Sequence, residues 1–158
     1  MDKGTKTVLQ IVTIASVAVI IPTAVIAAIF IGSTDSSGLP DNYVGWGDWK
    51  ACAEIASVQP KEAVDIAAEE LGISFYELRW KSVDFGPVFV EPTGKVSNLM
   101  CSGGITVGSE RTPWEHPTFL QESYAWEISI GTPGTLCMPN LSFVKWNTTE
   151  SLYHIHGC

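Results

Sequence analysis

The sequence predicts an N-terminal transmembrane-type α-helix plus a small α+β domain, with two helices followed by an antiparallel β-sheet, stapled by disulfide bonds. Three observations support this fold class. A charge-free apolar stretch runs from Val8 to Ile31. Beyond it, the spacing of apolar residues changes from the period of a helix to that of a strand. All four cysteines of the 158-residue chain follow the apolar stretch.

The apolar stretch is long enough to cross a bilayer. As a helix, its 24 residues would rise about 36 Å, against a hydrocarbon core of about 30 Å. This exceeds the roughly 7–15 apolar residues of a signal peptide, and no clear small-x-small site follows closely, which favours a retained span over a cleaved secretory signal. Lys3 and Lys6 precede the stretch, and Asp35 and Asp41 follow it. The positive-inside rule then predicts a cytoplasmic N-terminus and an exported C-terminal domain.

These assignments divide the chain into four parts. They are a short basic leader or cytoplasmic segment (1–7), the hydrophobic helix (8–31), a Gly/Ser/Pro linker (32–42) and an extracytoplasmic α+β domain (43–158). From residue 32 onward, the chain carries 16 acidic and 7 basic residues. Such an acidic balance argues against nucleic acid as a partner and against binding to anionic headgroups.

Two helices are predicted at the start of the domain. Asp48 is placed to cap the first, and Cys52 falls on its apolar face, which directs the sulfur inward. The second begins at Pro60, since proline fits the first helical position, and ends at Gly72. Its buried stripe is predicted to consist of Val64, Ala67, Ala68 and Leu71.

After Gly72 the period of two predicts about five or six strands. The alternation in FYELRWKSV (75–83) and YAWEISI (124–130) predicts two half-buried strands with Trp80 and Trp126 in the core. PVFVEP and GGITVGS are shorter strand candidates. LSFVKW and SLYHIH flank NTTE, which predicts a terminal hairpin. The Gly- and Pro-rich stretch 98–121 is predicted to be a long loop held by Cys101.

An even number of cysteines outside the cytosol predicts two disulfide bonds, with three possible pairings. Cys52 lies on an early helix, Cys158 closes the last strand, and Cys101 and Cys137 flank the YAWEISI strand. These positions favour Cys52–Cys158 and Cys101–Cys137. Two N-glycosylation sequons begin at Asn140 and Asn147, as expected of an exported domain.

The C-terminal SLYHIHGC contains the one metal-like cluster of the sequence. His154, His156 and Cys158 alternate, so all three side chains would lie on one face of a strand. Metal binding requires Cys158 to stay a thiolate, and in an oxidising compartment a disulfide is the simpler fate. We therefore predict no metal site and expect Tyr153 and Ile155 to supply the core face, with both histidines on the other. No catalytic or cofactor motif is present, so the sequence predicts neither an enzyme nor a cofactor.

The first 32 or so residues resemble an archaeal type IV pilin or archaellin. MDKG ends in Lys3-Gly4, directly before the long helix rich in Ala, Ile and Val. In that family a peptidase trims a short basic leader, and the helices then pack into a filament core with the exported heads outside. The resemblance implies leader cleavage after Gly4, self-association through the helix and a glycosylated cell-surface head.

Three functional hypotheses follow. The first is a structural subunit of an extracellular pilus-like filament, with the apolar helix in the core. The second is a single-span accessory or binding subunit of a membrane complex, whose partners are other membrane subunits. The third is a membrane-anchored metal or redox protein that uses His154, His156 and Cys158.

Overall fold

The computed structural model describes residues 38–111 and 119–156. The predicted leader, cleavage site and apolar helix, together with Cys158, lie outside these ranges. Within them, no helix is long and apolar enough to span a membrane. The chain from Leu39 onward forms one compact unit. Asn42, which the sequence places in the linker, is hydrogen-bonded inside that unit.

The described residues form a small α+β domain around an antiparallel sheet, as predicted. The sheet order is β4-β3-β2-β5-β6-β7, and β1 pairs with β2 in parallel. The elements in chain order are β1 (Tyr43–Gly45), α1 (Trp49–Ala53), α2 (Pro60–Glu70), α3 (Phe75–Leu78), β2 (Ser82–Val90), β3 (Val96–Met100), β4 (Thr106–Glu110), β5 (Ser123–Gly131), β6 (Asn140–Lys145) and β7 (Ser151–His154). The described part of the chain therefore has one more helix than predicted and a strand ahead of the helices.

Strand β2 uses both of its edges, and one edge is shared by two strands. Along one edge it pairs with β5 over its whole length. On the other, β1 pairs with β2 as far as Phe85, and β3 pairs from Val88 to Val90. Pro87 falls between these two partners, where its missing N–H costs no ladder hydrogen bond. Beside it, the Trp46 ring lies where a Cβ of Gly86 would stand, so only glycine fits there.

Helix α2 confirms the predicted second helix. Pro60 occupies its first turn, and Gly72 follows it with φ of +68°, the left-handed conformation that ends a helix. The predicted stripe is buried at Val64, Ala67 and Ala68, and Leu71 packs against it. This stripe lies across β2, β5, β6 and β7, so α2 covers one face of the sheet.

The predicted strand at 75–83 is wrong over most of its length. Residues 75–78 form α3, and the strand begins at Ser82. Ser74 and Glu77 form a capping box, in which Ser74 Oγ accepts from the Glu77 N–H and the Glu77 carboxylate accepts from the Ser74 N–H. This local pairing outweighs the alternation of apolar residues. Trp80 is consequently 78% exposed, whereas Trp126 is buried as predicted.

Strand β5 is buried on both faces. On the helix-covered face Trp126, Ile128 and Ile130 join the main core. On the other, Ala125 belongs to a second cluster with Val88, Val90, Val96, Phe119 and Phe143. The prediction of a half-buried β5 therefore fails, because the sheet has apolar cover on its second face as well.

The terminal hairpin of β6 and β7 is confirmed, but its packed face is the opposite of the predicted one. Tyr153 and Ile155 are 46% and 56% exposed. Leu152, which lies opposite Phe143, packs against the second cluster instead. The alternation of residues predicts correctly which side chains share a side of the strand, but it does not indicate which side meets the core.

Disulfide bonding of the domain is confirmed, and both predicted pairings are wrong. Cys52 bonds Cys101, with a Cα–Cα distance of 5.1 Å, which excludes Cys52–Cys158 and Cys101–Cys137. Cys137 is also disulfide-bonded. Residues 98–111, the described first part of the predicted loop, are not a long loop, because β3 and β4 form a hairpin there and Cys101 directly follows β3. That hairpin places Cys101 beside α1, which has contacts with β3.

The Cys52–Cys101 bond should stabilise the domain strongly. It links residues 49 apart, and the chain-entropy model assigns such a loop about 4 kcal/mol. We expect the double variant Cys52→Ala/Cys101→Ala to lose about this much free energy of unfolding in urea titrations. Ser57→Ala, an exposed position, serves as the control. Non-reducing peptide mapping should recover the peptides of Cys52 and Cys101 as one cross-linked species, and a different partner for either cysteine would contradict the pairing.

Candidate functional site

An exposed aromatic surface lies beside the point where the chain enters the domain. Phe75, Tyr76 and Trp80 are 68%, 75% and 78% exposed, and Phe75 and Tyr76 pack edge to face with centroids 6.0 Å apart. With the neighbouring Arg79 they form what we call the entry surface. Three exposed large aromatic side chains within six residues of the chain favour an interaction site over an ordinary solvated face.

The entry surface is fixed to the first strand through one side chain. Asn42, directly before β1, donates from Nδ2 to the carbonyls of Leu78 (2.9 Å) and Lys81 (3.0 Å). The Val83 N–H in turn donates to the Asn42 carbonyl at 3.2 Å. Asn42 therefore holds the segment that carries Trp80 against the residues at which the chain enters the domain.

A small apolar cleft of about 230 Å³ adjoins this surface. It is lined by Pro40, Asn42, Tyr43, Phe75, Leu78 and Arg79. Burial, and secondarily the charge of Asp65, raises the pKa of Tyr43 to about 12, so its hydroxyl stays protonated. The cleft thus offers apolar contacts, and its tyrosine stays neutral at neutral pH.

A larger open groove lies at the N-terminal end of β5, around Ser123 and Tyr124. It has a volume of about 680 Å³ and is lined by Ile55, Ala56, Ser57, Phe89, Ile105, Gln121, Glu122, Ser123, Tyr124, Lys145, Trp146, Asn147 and Thr148. Within this lining, Tyr124 packs against Phe89 (5.7 Å between centroids) and against Trp146 (5.5 Å). We call it the β5 groove, since the exposed side of Tyr124 lies in it.

The residues singled out for metal binding are only partly brought together. The rings of His154 and His156 lie edge to face, with centroids 4.5 Å apart. The His156 N–H donates to the side chain of Asn140, which ties the tail to β6. In the part of the chain that the structure describes, no three His, Cys, Asp or Glu side chains gather as a metal site, and Cys158 lies outside it.

Asp48 has a role that the sequence did not indicate. It precedes α1 as predicted, but its side chain makes no capping hydrogen bond to that helix. Its carboxylate instead accepts from the N–H groups of Cys101 (2.8 Å) and Ser102 (2.7 Å) and from the Ser102 hydroxyl. These donors hold the pKa of Asp48 below its usual range. The contact reinforces the disulfide, because both join the α1 region to the end of β3.

Glu127 is the buried carboxylate of the second face. Arg111 Nη1 donates to it at 2.6 Å, and the Arg111 guanidinium lies 4.8 Å from the centroid of the Trp46 ring. Burial raises the pKa of Glu127, and Arg111 opposes that shift. The pair links the end of β4 to β5 and supports Trp46. The contact with Arg111 accounts for this buried carboxylate structurally, so we assign Glu127 no catalytic or binding role.

Comparisons with protein-family models, with curated proteins and with solved structures found no match for this chain. The resemblance to pilins therefore stays a prediction.

Replacing Asp48 with Asn should lower the free energy of unfolding at neutral pH, and it should make that free energy less sensitive to acid. Because the folded-state pKa is lowered, the ionised carboxylate contributes stability that is present above about pH 4 and is lost as the pH falls through the folded-state pKa. Urea midpoints of the wild type should therefore fall further than those of Asp48→Asn between pH 7 and pH 3. Exposed Asp41→Asn is the control, and equal acid sensitivity of wild type and Asp48→Asn would contradict this assignment.

Ionisation of Glu127 should change the stability of the domain with pH in the direction opposite to that of Asp48. Its folded-state pKa is raised, so its contribution to stability falls as the pH rises from the ordinary carboxylate range through that pKa. Glu127→Gln loses the charged contact to Arg111 at every pH but removes this dependence. We expect the variant to gain on the wild type between about pH 4 and pH 7 in denaturant titrations, with Glu69→Gln as an exposed control. Parallel pH profiles for wild type and variant would contradict it.

Proposed function

We propose that this chain is a structural subunit of an extracellular pilus-like filament, in which the apolar helix forms the core and the α+β domain forms the outer head. The entry surface is the observation that carries the proposal. It places Phe75, Tyr76 and Trp80 in solvent next to the residues at which the chain enters the head. In a filament this is the part of a head that meets the helices of neighbouring copies.

The chain ahead of the domain supports this assignment. Val8–Ile31 carries no ionisable residue and includes several alanines, which allow helices to approach closely. Residues 32–38 separate Ile31 from Leu39. An extended chain covers at most about 3.5 Å per residue, so this connection reaches no further than about 25–30 Å. A head on so short a tether stays near whatever holds the helix, and its aromatic side chains gain contacts there.

A single-span accessory subunit of a membrane complex is the second candidate, and the basic residues of the entry region favour it. Arg79 and Lys81 flank Trp80 in the sequence. Tryptophan and tyrosine beside arginine and lysine are typical of side chains at the headgroup level of a bilayer. In this alternative the entry surface contacts lipid headgroups or a larger membrane subunit, and the helix stays in the membrane.

The state of the native protein separates the two candidates. For a filament subunit, mass spectrometry of native material should find a new N-terminus after Gly4, and negative-stain microscopy of sheared cell-surface material should find filaments that contain this chain. Intact Met1 together with membrane-embedded monomers would contradict the filament. Co-purification with larger membrane proteins after detergent extraction would instead favour the accessory subunit.

Removing the aromatic rings of the entry surface should impair assembly and spare the fold. We expect Phe75→Ser/Trp80→Ser to reduce the amount of assembled filament at least tenfold, because both rings are mostly exposed in the isolated domain. Within the domain, Phe75 loses its edge-to-face contact with Tyr76 and its place in the cleft, so the stability of the variant is measured alongside. The assay compares sheared and cell-retained protein by quantitative immunoblot. Leu120→Ser removes an apolar side chain that is 93% exposed elsewhere and is the matched control. Normal assembly of the double variant would exclude the entry surface from the interface.

A further inference from the structure

The β5 groove combines the partly exposed aromatic side chain of Tyr124 with neutral hydrogen-bonding groups. Tyr124 is 40% exposed and stands between Phe89 and Trp146. Gln121, Ser123, Asn147 and Thr148 supply amides and hydroxyls to the lining. A volume of about 680 Å³ lies within the range of small-molecule sites. Its chemistry suits a neutral, polyhydroxylated ligand with an apolar face, which describes a saccharide.

Charged side chains contribute little to the groove. Lys145 belongs to the lining, but its ammonium group pairs with Glu150 and lies 4.7 Å from the centroid of the Phe119 ring. Phe119 is part of the cluster on the second face of the sheet, so the lysine charge is directed away from Tyr124. Glu122 is the charged side chain that remains at the rim. A charged ligand therefore has no cluster of opposite charge to meet among the described lining residues.

One glycosylation sequon lies on the rim of this groove. Asn147, Thr148 and Thr149 are all exposed, in the turn that joins β6 to β7. Asn147 and Thr148 themselves belong to the groove lining. A sugar attached to Asn147 would therefore start at the edge of the site whose chemistry suits it.

The other sequon is arranged differently. Asn140 is half-buried in β6, and its side-chain oxygen accepts from the His156 N–H at 3.0 Å. Ser142, the hydroxyl residue of this sequon, is fully buried and so is its Oγ. Because glycosyl transfer reads the hydroxyl two residues after the asparagine, the folded strand withholds this sequon from a transferase that acts on the folded domain.

We propose that Asn147 carries an N-linked glycan whose first sugars occupy the β5 groove against Tyr124, and that Asn140 stays unmodified. The donor is a lipid-phosphate-linked oligosaccharide on the exported side of the membrane. Asn147 Nδ2 forms a bond to the anomeric carbon and loses one proton to a base of the transferase. The bond from that carbon to the phosphate oxygen breaks, and the lipid phosphate leaves with the electron pair.

Sugar binding in the groove has a defined physical basis. The C–H face of a pyranose covers the exposed part of the Tyr124 ring and removes apolar area from water. The hydroxyls exchange water for the amides and hydroxyls of the rim. Attachment at Asn147 makes the contact intramolecular, so weak individual contacts suffice at the high effective concentration of a short tether.

The site of modification is tested with the full chain expressed in a host that has an oligosaccharyl transferase. Intact mass before and after glycosidase treatment should find one glycan on the wild type and on Asn140→Gln, and none on Asn147→Gln. A glycan that persists in Asn147→Gln would overturn the proposal. So would an unmodified wild type in cells that glycosylate a reference sequon protein. These outcomes are read by mass, so they are independent of whether filaments form, although the proposal shares the exported topology of the proposed function.

A second measurement tests whether the glycan occupies the groove. Thermal midpoints are compared before and after glycosidase treatment, which gives the increment due to the glycan. We expect Tyr124→Ala to lose at least half of that increment. Tyr153→Ala should keep it, because Tyr153 is similarly exposed but does not line the groove. Taking the difference within each variant removes the stability change caused by the substitution itself.

Tyr124→Leu serves if the alanine variant does not fold, since leucine keeps apolar volume and removes the ring. Fluorescence gives an independent readout, because Trp146 lies in the groove and its emission should shift on deglycosylation in the wild type. Equal increments in wild type and in the Tyr124 variants, without any shift in emission, would show the glycan to extend into solvent and would overturn the seating.

Discussion

The antiparallel pairing of β2 with β5 is the interaction on which the rest of the domain depends. Nine consecutive residue pairs join the two strands, from Ser82 opposite Gly131 to Val90 opposite Ser123. This ladder fixes which side chains share a face, since a shift by one residue would exchange the faces of every side chain. The helix-covered core, the second cluster and the positions of β1 and β3 all follow from that register.

Polar contacts then fasten the helical layer onto this ladder. The carbonyl of Val58 accepts from the Trp126 indole at 2.8 Å, and its N–H donates to the carbonyl of Trp146 at the same distance. One residue in the loop between α1 and α2 is thus held through both its N–H and its carbonyl. The Asp48 carboxylate holds the start of α1, and the Cys52–Cys101 bond holds the helix near its last residue. The short helix α1, with only five residues, would not persist without such anchors.

The local parts of this fold were predictable, and the non-local ones were not. Helix α2 has a proline start, a glycine stop and a regular stripe, all within a few residues of sequence. Helix α3 also has a local signal, the capping box of Ser74 and Glu77, but the competing alternation in 75–83 concealed it. The parallel pairing of β1 and the Cys52–Cys101 bond join residues about 40 and 49 apart. No spacing rule selects such pairings, because they depend on which strands become neighbours in the sheet. The entry surface shows the same limit, since the alternation in 75–83 assigns Trp80 to the core, whereas the structure leaves it exposed.

The two surfaces of the domain lie at opposite ends of the β2–β5 ladder. Trp80 and Lys81 come directly before the start of β2, whereas Phe89 and Tyr124 face each other near its end. At about 3.4 Å per residue, the nine-residue strand separates these ends by about 27 Å. Asn42 fixes the entry of the chain to the first end. The β5 groove and Asn147 lie at the other end of the ladder. A bulky modification at that end of the sheet therefore leaves the side chains of the entry surface uncovered, because the length of the paired strands lies between the two surfaces.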